Sequence, residues 1–170
     1  MFESICKEKV FSAIYRDFSK DVHDYLYYKF GARADIEDTV QAVFIKLWDN
    51  CKKVALDKAR AFLFRVAKNT MLNQLKHEKV VLEYERLPAK SYTNETPEFL
   101  LEEEQFLKKY QAALSKLTEE QRVVFLLNKV EGKKFQEIAD LLGITKKVVE
   151  YRIYTAFKII KSEVKEIEKF

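Results

Sequence analysis

Residues Phe135–Lys161 contain two stretches of helical apolar spacing that a glycine separates. The apolar positions are Ile138, Ala139 and Leu142 before Gly143, and Val149, Ile153, Ala156 and Ile160 after it. Two helices joined by a tight turn form a helix-turn-helix, whose second helix can enter a DNA major groove. The stretch FQEIADLLGITKKVVEYRIYTAFKIIK therefore predicts a DNA-binding unit, with a plain pair of packed helices as the simpler interpretation.

Composition favours helices along the whole chain. The 170 residues include only three glycines and two prolines, which disfavours a turn-rich β fold, and 48% of them are hydrophobic, which disfavours disorder of the whole chain. A net charge of +4 permits nucleic-acid binding without arguing strongly for it. Without a signal-peptide pattern or an apolar run of ~20 residues, a cytoplasmic protein is expected.

The cysteines and histidines predict neither a metal site nor a cofactor. Cys6 and Cys51, taken with His23 and His77, match no zinc-binding spacing. Two cysteines also make no disulfide framework, so ordinary reduced thiols are expected. Neither histidine has an evident nucleophile as a partner and there is no glycine-rich phosphate loop, so no enzyme activity and no small-molecule substrate are expected.

The chain is expected to be all-α, with two small helical domains joined by a flexible linker. The boundaries are 1–82 for the first domain, 83–98 for the linker and 99–170 for the second, which contains the helix-turn-helix. The linker holds both prolines, Pro88 and Pro97, and a polar run between them. A long ordered loop inside one domain is the alternative. Thr118 and Gln121 predict a capping box at a helix start.

The predicted helix Asp35–Asp49, with Asp35 as its N-cap, carries more apolar residues than one core needs. Its first stripe consists of Ile36, Val40, Val43 and Leu47, and its second of Phe44, Ile45 and Trp48 with Gln41 among them. Large aromatic residues beside a polar group are typical of interface anchors. The second stripe predicts either a protein-binding surface or a helix that is buried on two sides.

The predicted helix Lys58–Lys79 follows a loop at Asn50–Asp57 and carries a polar face apart from its core face. The polar face consists of Phe62, Arg65, Asn69, Leu72, Asn73 and Lys76. Basic groups neutralise phosphates, amides pair with base edges, and an aromatic ring can stack on an unpaired base. The face therefore suits melted DNA, although a solvated face would explain its polar residues equally well.

The predicted last helix, Thr145–Lys161, points a further set of side chains away from its core side. Candidates for contacts to bases or nearby phosphates are Thr145, Lys146, Lys147, Glu150 and Tyr151, because the N-terminal part of such a helix meets base edges. Glu150 could accept a hydrogen bond from a cytosine amino group. Arg152 and Lys158 are expected at phosphates, and Tyr154 also points outward.

Three segments resemble the bacterial extracytoplasmic-function (ECF) sigma factors, the smallest class of RNA polymerase sigma subunit. DIEDTVQAVFIKLWDN, Asp35–Asn50, resembles the D-x-x-Q-x-V-F-x-x-L-W helix of the family. AFLFRVAKNTMLNQLK, Ala61–Lys76, resembles its promoter-melting helix, and Leu117–Lys161 resembles its C-terminal promoter-reading domain. The chain departs from the family at Asn73, where an Asp is frequent, and at Val148, where a Ser or Thr is usual.

The resemblance implies an alternative sigma factor that directs promoter-specific transcription initiation. Core RNA polymerase would be bound by Asp38, Gln41, Phe44, Ile45 and Trp48. The −10 element would be read and melted by Phe62, Arg65, Asn69, Asn73 and Lys76. The −35 element would be bound by Thr145, Lys146, Lys147, Glu150, Tyr151, Arg152, Tyr154 and Lys158. The implied partners are core RNA polymerase, promoter DNA and an anti-sigma factor.

Two other kinds of protein would explain part of these patterns. A stand-alone helix-turn-helix repressor or response-regulator output domain accounts for residues 117–161 but not for the two N-terminal helices. A structural helical adaptor accounts for the helices without any DNA contact. It would leave transcription unchanged when Lys147 or Asn69 is replaced.

Overall fold

The computed structural model describes residues 4–32, 35–75 and 97–165, with side chains described throughout except at 97–101. Over these residues the chain forms helices and no β-strand, which confirms the predicted all-α fold with two helical units. The α-helices are α1 (Glu8–Phe30), α2 (Ile36–Asp49), α3 (Ala59–Gln74), α4 (Pro97–Ser115), α5 (Glu119–Lys129), α6 (Phe135–Leu142) and α7 (Lys146–Glu163). A short 3-10 helix, Leu56–Lys58, precedes α3. Lys76 and residues 83–96 of the predicted linker lie outside the described residues.

Helices α1, α2 and α3 form the N-terminal unit around one hydrophobic core. The first stripe of α2 faces this core, as predicted, together with Leu63, Ala67 and Met71 of α3. Val22, Leu26 and Phe30 supply the facing side of α1. Ile5, which precedes α1, is also buried here with 1% of its surface exposed, so the N-terminal segment belongs to the packed unit.

Helices α4 to α7 form the C-terminal unit, whose core is built mainly by α5 and α7. The capping box at the start of α5 is confirmed: the Thr118 hydroxyl accepts from the Gln121 amide at 3.2 Å, and the Gln121 side chain accepts from the Thr118 amide at 3.0 Å. Gly143 ends α6 with a φ of +67°, a left-handed conformation that costs glycine little. The Thr145 hydroxyl then caps α7 by accepting from the Val148 amide. The predicted helix-turn-helix is confirmed.

The predicted side-chain cap of α2 is wrong, and α4 begins within the predicted linker. Asp35 stands at the N-cap position of α2, but its backbone is already helical, at φ −88° and ψ −1°, and its side chain makes no capping hydrogen bond. Ordinary caps adopt an extended backbone, which aims the side chain at the free amides. At the linker, α4 begins at Pro97, so its first turn includes the last two residues assigned to the linker. Proline is well tolerated there because the first helical amide needs no partner.

The two cysteines form a disulfide bond, so the expectation of reduced thiols is also wrong for this structure. Cys6 precedes α1 and Cys51 follows α2, and their Cα atoms lie 5.1 Å apart. The bond therefore connects the N-terminal segment to the turn that leads from α2 towards α3. Folding of α1 against α2 brings together residues that are 45 positions apart in sequence.

The two units pack against each other through α1 and α5. Arg122 of α5 is only 3% exposed, and its guanidinium donates to the carbonyl oxygens of Tyr28 at 2.9 Å and Lys29 at 3.0 Å. These carbonyls belong to the last turn of α1, where helical partners are missing and the helix dipole favours a cation. The side chain of Tyr28 extends into the core of the C-terminal unit. Arg122 thus caps a helix of the other unit.

Candidate nucleic-acid interface

The outward side of α7 is a polar and aromatic face. Its inward side is fixed by Val149, Ile153, Ala156 and Ile160, all of them buried as predicted. Most of the predicted −35 set is consequently exposed, namely Thr145, Lys146, Lys147, Glu150, Tyr151, Tyr154 and Lys158. Tyr151 and Tyr154 each keep 69% of their surface exposed, which is unusual for rings of this size without a binding partner.

The start of α7 is suited to anions. Its first turn contains no acidic residue and begins with Lys146 and Lys147. The positive end of the helix dipole lies at the same place, so phosphate would meet both sources of positive charge. The hydroxyl of Thr145 already serves as the helix cap. Its predicted DNA contact would therefore compete with that hydrogen bond.

Arg152 differs from the rest of the set because it is partly buried and already paired. Its Nη2 atom lies 2.5 Å from Oε2 of Glu120, so the guanidinium joins α7 to the start of α5. Beside it, the side-chain amide of Gln121 donates to the Thr155 hydroxyl at 3.0 Å. These contacts orient α7 on α5, and the predicted phosphate contact of Arg152 would require its ion pair to rearrange.

A second polar face lies on α3. Arg65, Asn69 and Asn73 are exposed at successive intervals of four residues and so follow one side of the helix. Leu72 is 42% exposed beside them. Phe62, predicted to stack on an unpaired base, is only partly exposed and packs against the core of the N-terminal unit.

A third candidate surface, which is largely apolar, is formed by α1 and α2. Ile45 is 61% exposed and Trp48 42% exposed, while Asp38 and Gln41 are exposed on the same helix. Phe44, predicted as a contact of core polymerase, is buried at 2% as part of the hydrophobic core of the N-terminal unit, and the rings of Phe11 and Tyr15 meet it edge-on. These two residues of α1 are not among the contacts predicted from the sequence.

We call the exposed apolar group of Phe11, Tyr15, Ile45 and Trp48 the aromatic surface. Phe11 is partly buried and meets Trp48 edge-on with ring centroids 5.0 Å apart, and Tyr15 is 43% exposed. Helical spacing places Phe11 and Tyr15 four residues apart, on one face of α1. The spacing of Phe11 and Tyr15 in the sequence is consistent with a shared face. Only the packing of α1 on α2 shows that this face of α1 continues the second stripe of α2.

The described residues contain no cluster of His, Cys, Asp or Glu that could bind a metal. Within the same part of the chain, none of the helices is both long and apolar enough to cross a lipid bilayer.

Two regions of the sigma-70 family match the chain, in the order in which the two units occur. Sigma-70 region 2 matches residues 14–80, and Sigma-70, region 4 matches residues 107–160. A curated relative, described as an ECF RNA polymerase sigma factor SigE from Mycolicibacterium smegmatis, is 27% identical over 130 residues. The chain belongs to the sigma-70 family of sigma factors.

The relatives define how far the likeness extends. The match to SigE covers 73% of this sigma factor and 49% of SigE, so the chain spans about half the length of that relative. Among solved structures, CnrH in complex with the cytosolic domain of CnrY has a TM-score of 0.57 at 21% identity, over 92% of this chain and 88% of that one. An RsbN–BldN complex also matches, with a TM-score of 0.34 at 18% identity. The likeness to CnrH supports the fold described above for this chain.

Charged groups reinforce the contact between the two regions of this sigma factor. Lys29, almost fully buried, lies 2.7 Å from Glu119, and Lys133 lies 2.9 Å from Asp21. Glu131 accepts from the Tyr28 hydroxyl and from Lys20. All four contacts join α1 to α5 or to the turn that follows it.

The pKa values of three residues at this contact are shifted in directions that preserve the contact at neutral pH. Burial of Lys20 works against its charge, but hydrogen bonds to Asp24 and Glu131 outweigh that effect and raise its pKa. Burial and then the hydrogen bond to Glu131 raise the pKa of Tyr28. Burial, followed by the charges of Glu119 and Glu120, raises the pKa of Tyr25 to about 12. Lys20 stays charged and both phenols stay protonated.

Proposed function

We propose that this sigma factor binds core RNA polymerase and directs it to promoters by recognising −35 and −10 elements and helping to melt the −10 region. One observation carries the proposal. The α7 face and the α3 face are exposed in separate units, and each lies within a matched sigma-70 region. Recognition of two promoter elements requires two such surfaces on one chain.

For the −35 element, the proposed reader is the first two turns of α7. Lys147, Glu150 and Tyr151 occupy the part of the helix that enters the groove in a helix-turn-helix, and all three are exposed. Lys146, whose ammonium group lies 3.8 Å from Glu150, and Lys158 would contact phosphates and fix the register. Specificity is assigned to Glu150 and Tyr151, since phosphate contacts carry no sequence information.

For the −10 element, the proposed reader is the α3 face. Asn69 and Asn73 can form paired hydrogen bonds to base edges that melting exposes, and Arg65 can neutralise the strand backbone. The loop Asn50–Asp57, proposed to receive a flipped base, ends in the first two residues of the 3-10 helix before α3. It is held by the Val54 amide, which donates to the Asn50 carbonyl at 3.1 Å.

For core polymerase, the proposed contact is the aromatic surface with Asp38 and Gln41 at its side. Exposed Trp and large apolar residues surrounded by polar ones are typical of interface centres. Polymerase would then hold both DNA-reading units at once, which raises the effective concentration of the second unit. Each unit can therefore bind DNA weakly, in keeping with a net charge of only +4.

An anti-sigma factor is proposed as a further partner. The solved relative CnrH is in complex with the cytosolic domain of CnrY, and its fold extends over most of this chain. The exposed aromatic residues of α2 and α7 are surfaces that such a partner would cover. Co-purification of this chain with a protein that blocks its transcription activity would support the assignment.

The test is run-off transcription with bacterial core RNA polymerase on a pool of upstream fragments from the source genome. New, sequence-defined start sites that depend on this protein are expected. Absence of transcripts, together with no binding to core in a pull-down, would favour a stand-alone regulator if the protein still binds DNA, or a helical adaptor if it does not.

Matched variants separate the three surfaces. Trp48→Ala is expected to weaken core binding, while Lys147→Ala with Tyr151→Ala should reduce use of −35 elements without affecting core binding. Lys129→Ala, an exposed change on α5 outside all three surfaces, serves as the control. If the Lys147 and Tyr151 changes left promoter choice as it is in the control, the assignment of α7 would be wrong.

A further inference from the structure

The disulfide of the N-terminal unit has no role in the proposed function. Cys6 and Cys51 are both partly exposed, and Cys51 also packs against the core of the N-terminal unit. Both residues therefore keep part of their surface in contact with solvent. Exposed disulfides are the kind that exchange readily and that serve regulation.

Exposed charged residues of both signs flank the two cysteines in sequence, with lysines adjacent to each and the acidic residues Glu8 and Asp49 two positions away. Lys7 follows Cys6, and Lys52 and Lys53 follow Cys51, and all three lysines are exposed. Nearby positive charge favours the thiolate, which is the species that attacks disulfides. The pair thus combines partial exposure and adjacent lysines with the proximity that thiol–disulfide exchange requires.

The disulfide also lies between the aromatic surface and the loop Asn50–Asp57. The Cys51 amide donates to the Trp48 carbonyl at 3.0 Å, so Cys51 directly continues the end of α2 that carries the aromatic surface. Cys51 is also the second residue of the loop Asn50–Asp57. On the other side, Cys6 holds the segment in which Ile5 fills the core.

We propose that Cys6 and Cys51 are a reversible redox site that takes low-molecular-weight disulfides as oxidant, and that the bonded form holds the loop Asn50–Asp57 for promoter opening. The second half of this inference rests on the proposed function. The first half stands on the position of the two cysteines alone.

The exchange is balanced without any further reactant. One cysteine thiolate attacks a sulfur atom of the small disulfide, which forms a mixed disulfide and releases one small thiolate. The second cysteine thiolate then attacks the protein sulfur of the mixed disulfide, which closes the Cys6–Cys51 bond and releases the second small thiolate. Two protein thiols are oxidised, one small disulfide is reduced, and the two thiol protons pass to the released thiolates.

The chemical half is tested by titrating the full chain in mixtures of reduced and oxidised glutathione, followed by alkylation and intact-mass measurement. The folded chain is expected to lose both reactive thiols in one step, at a lower fraction of oxidised glutathione than the urea-unfolded chain needs. Cys6→Ser and Cys51→Ser, as matched controls, should gain one glutathione instead. A folded chain that keeps both thiols where the unfolded chain oxidises, or that gains a glutathione on each cysteine, overturns the proposal.

The regulatory half is tested by run-off transcription with the chain in its bonded and reduced forms, each freed of glutathione before core polymerase is added. The bonded form is expected to give more transcript, and a chain carrying both serine substitutions should give the same amount after either treatment. Equal transcript from the two wild-type forms overturns the regulatory half. Absence of transcript from both forms contradicts the proposed function instead, and the thiol titration then decides the redox site.

Discussion

Replacing Arg122 by methionine should separate the two units of the chain while leaving each of them folded. Methionine retains most of the volume of the arginine stem but cannot donate to the carbonyl oxygens of Tyr28 and Lys29. The buried end of α1 would then lack its donor, and the polar contact between α1 and α5 would lose its central group. The expected result is an open chain rather than an unfolded one.

The expected loss of free energy at the contact follows from the hydrogen bonds that Arg122 donates to the carbonyl oxygens of Tyr28 and Lys29. A hydrogen bond to a charged group contributes about 1.5–3 kcal/mol, so the two together contribute roughly 3–6 kcal/mol to the contact. The third bond of Arg122, to the Leu117 carbonyl at 3.4 Å, lies within the C-terminal unit and is too long to add much. Water reaches the carbonyls once the units separate, so the lower end of this range is expected.

The assay combines small-angle X-ray scattering with urea unfolding. Arg122→Met is expected to increase the radius of gyration and to divide unfolding into two transitions. The matched control is Arg16→Met on the exposed side of α1, whose side chain is 78% exposed and should change stability by less than about 0.5 kcal/mol. If both variants had the same radius and the same midpoint as wild type, the role assigned to Arg122 would be refuted.

Four further outcomes are expected. Thr118→Ala removes the cap of α5 and should cost about 1 kcal/mol in a thermal melt, whereas Thr118→Ser should not. Gly143→Ala should cost about 1–2 kcal/mol through its left-handed backbone alone, because an added Cβ has nothing within 4 Å; a larger loss in urea unfolding would indicate a clash. Reduction of Cys6–Cys51 should lower the free energy of unfolding by about 4 kcal/mol, since the bond closes a long loop, and the double serine variant should not respond to reductant. The charged Lys20 and the protonated Tyr25, whose pKa values are both raised, stabilise the contact fully below pH 10. Tyr25 loses this contribution as the pH rises from 10 towards its pKa of about 12, and Lys20 loses its contribution above the ordinary pKa of a lysine, so scattering should show no change from pH 7 to 9 and opening only above pH 10.

Local features of the sequence were sufficient to predict the helix-turn-helix. The glycine between α6 and α7 and the capping box at Thr118 act within a few residues of themselves, so their effects can be read from neighbouring positions. Asp35 is the exception, because the residue at an N-cap must also have an extended backbone to cap, and this depends on how the preceding chain enters the helix.

Features that join distant residues were not predictable from the sequence. Arg122 resembles any polar residue of an amphipathic helix until α1, more than ninety positions away, brings two carbonyl oxygens to it. For the stripe that contains Phe44, the sequence left open whether a partner protein or another helix covers it, and the rings of Phe11 and Tyr15 that meet Phe44 come from another helix. Cys6 and Cys51 likewise become neighbours only when α1 packs on α2.

The presence of Tyr28 in the core of the C-terminal unit has a consequence for dividing this chain into fragments. The matched region 4 begins at residue 107, yet the cluster of buried residues around α5 and α7 includes a side chain from α1. A fragment that begins at α4 would lack that ring and the charged groups of α1, so it should be less stable alone than in the whole chain. Two fragments cut between α3 and α4 should find each other again in solution, with an affinity that falls as salt is added.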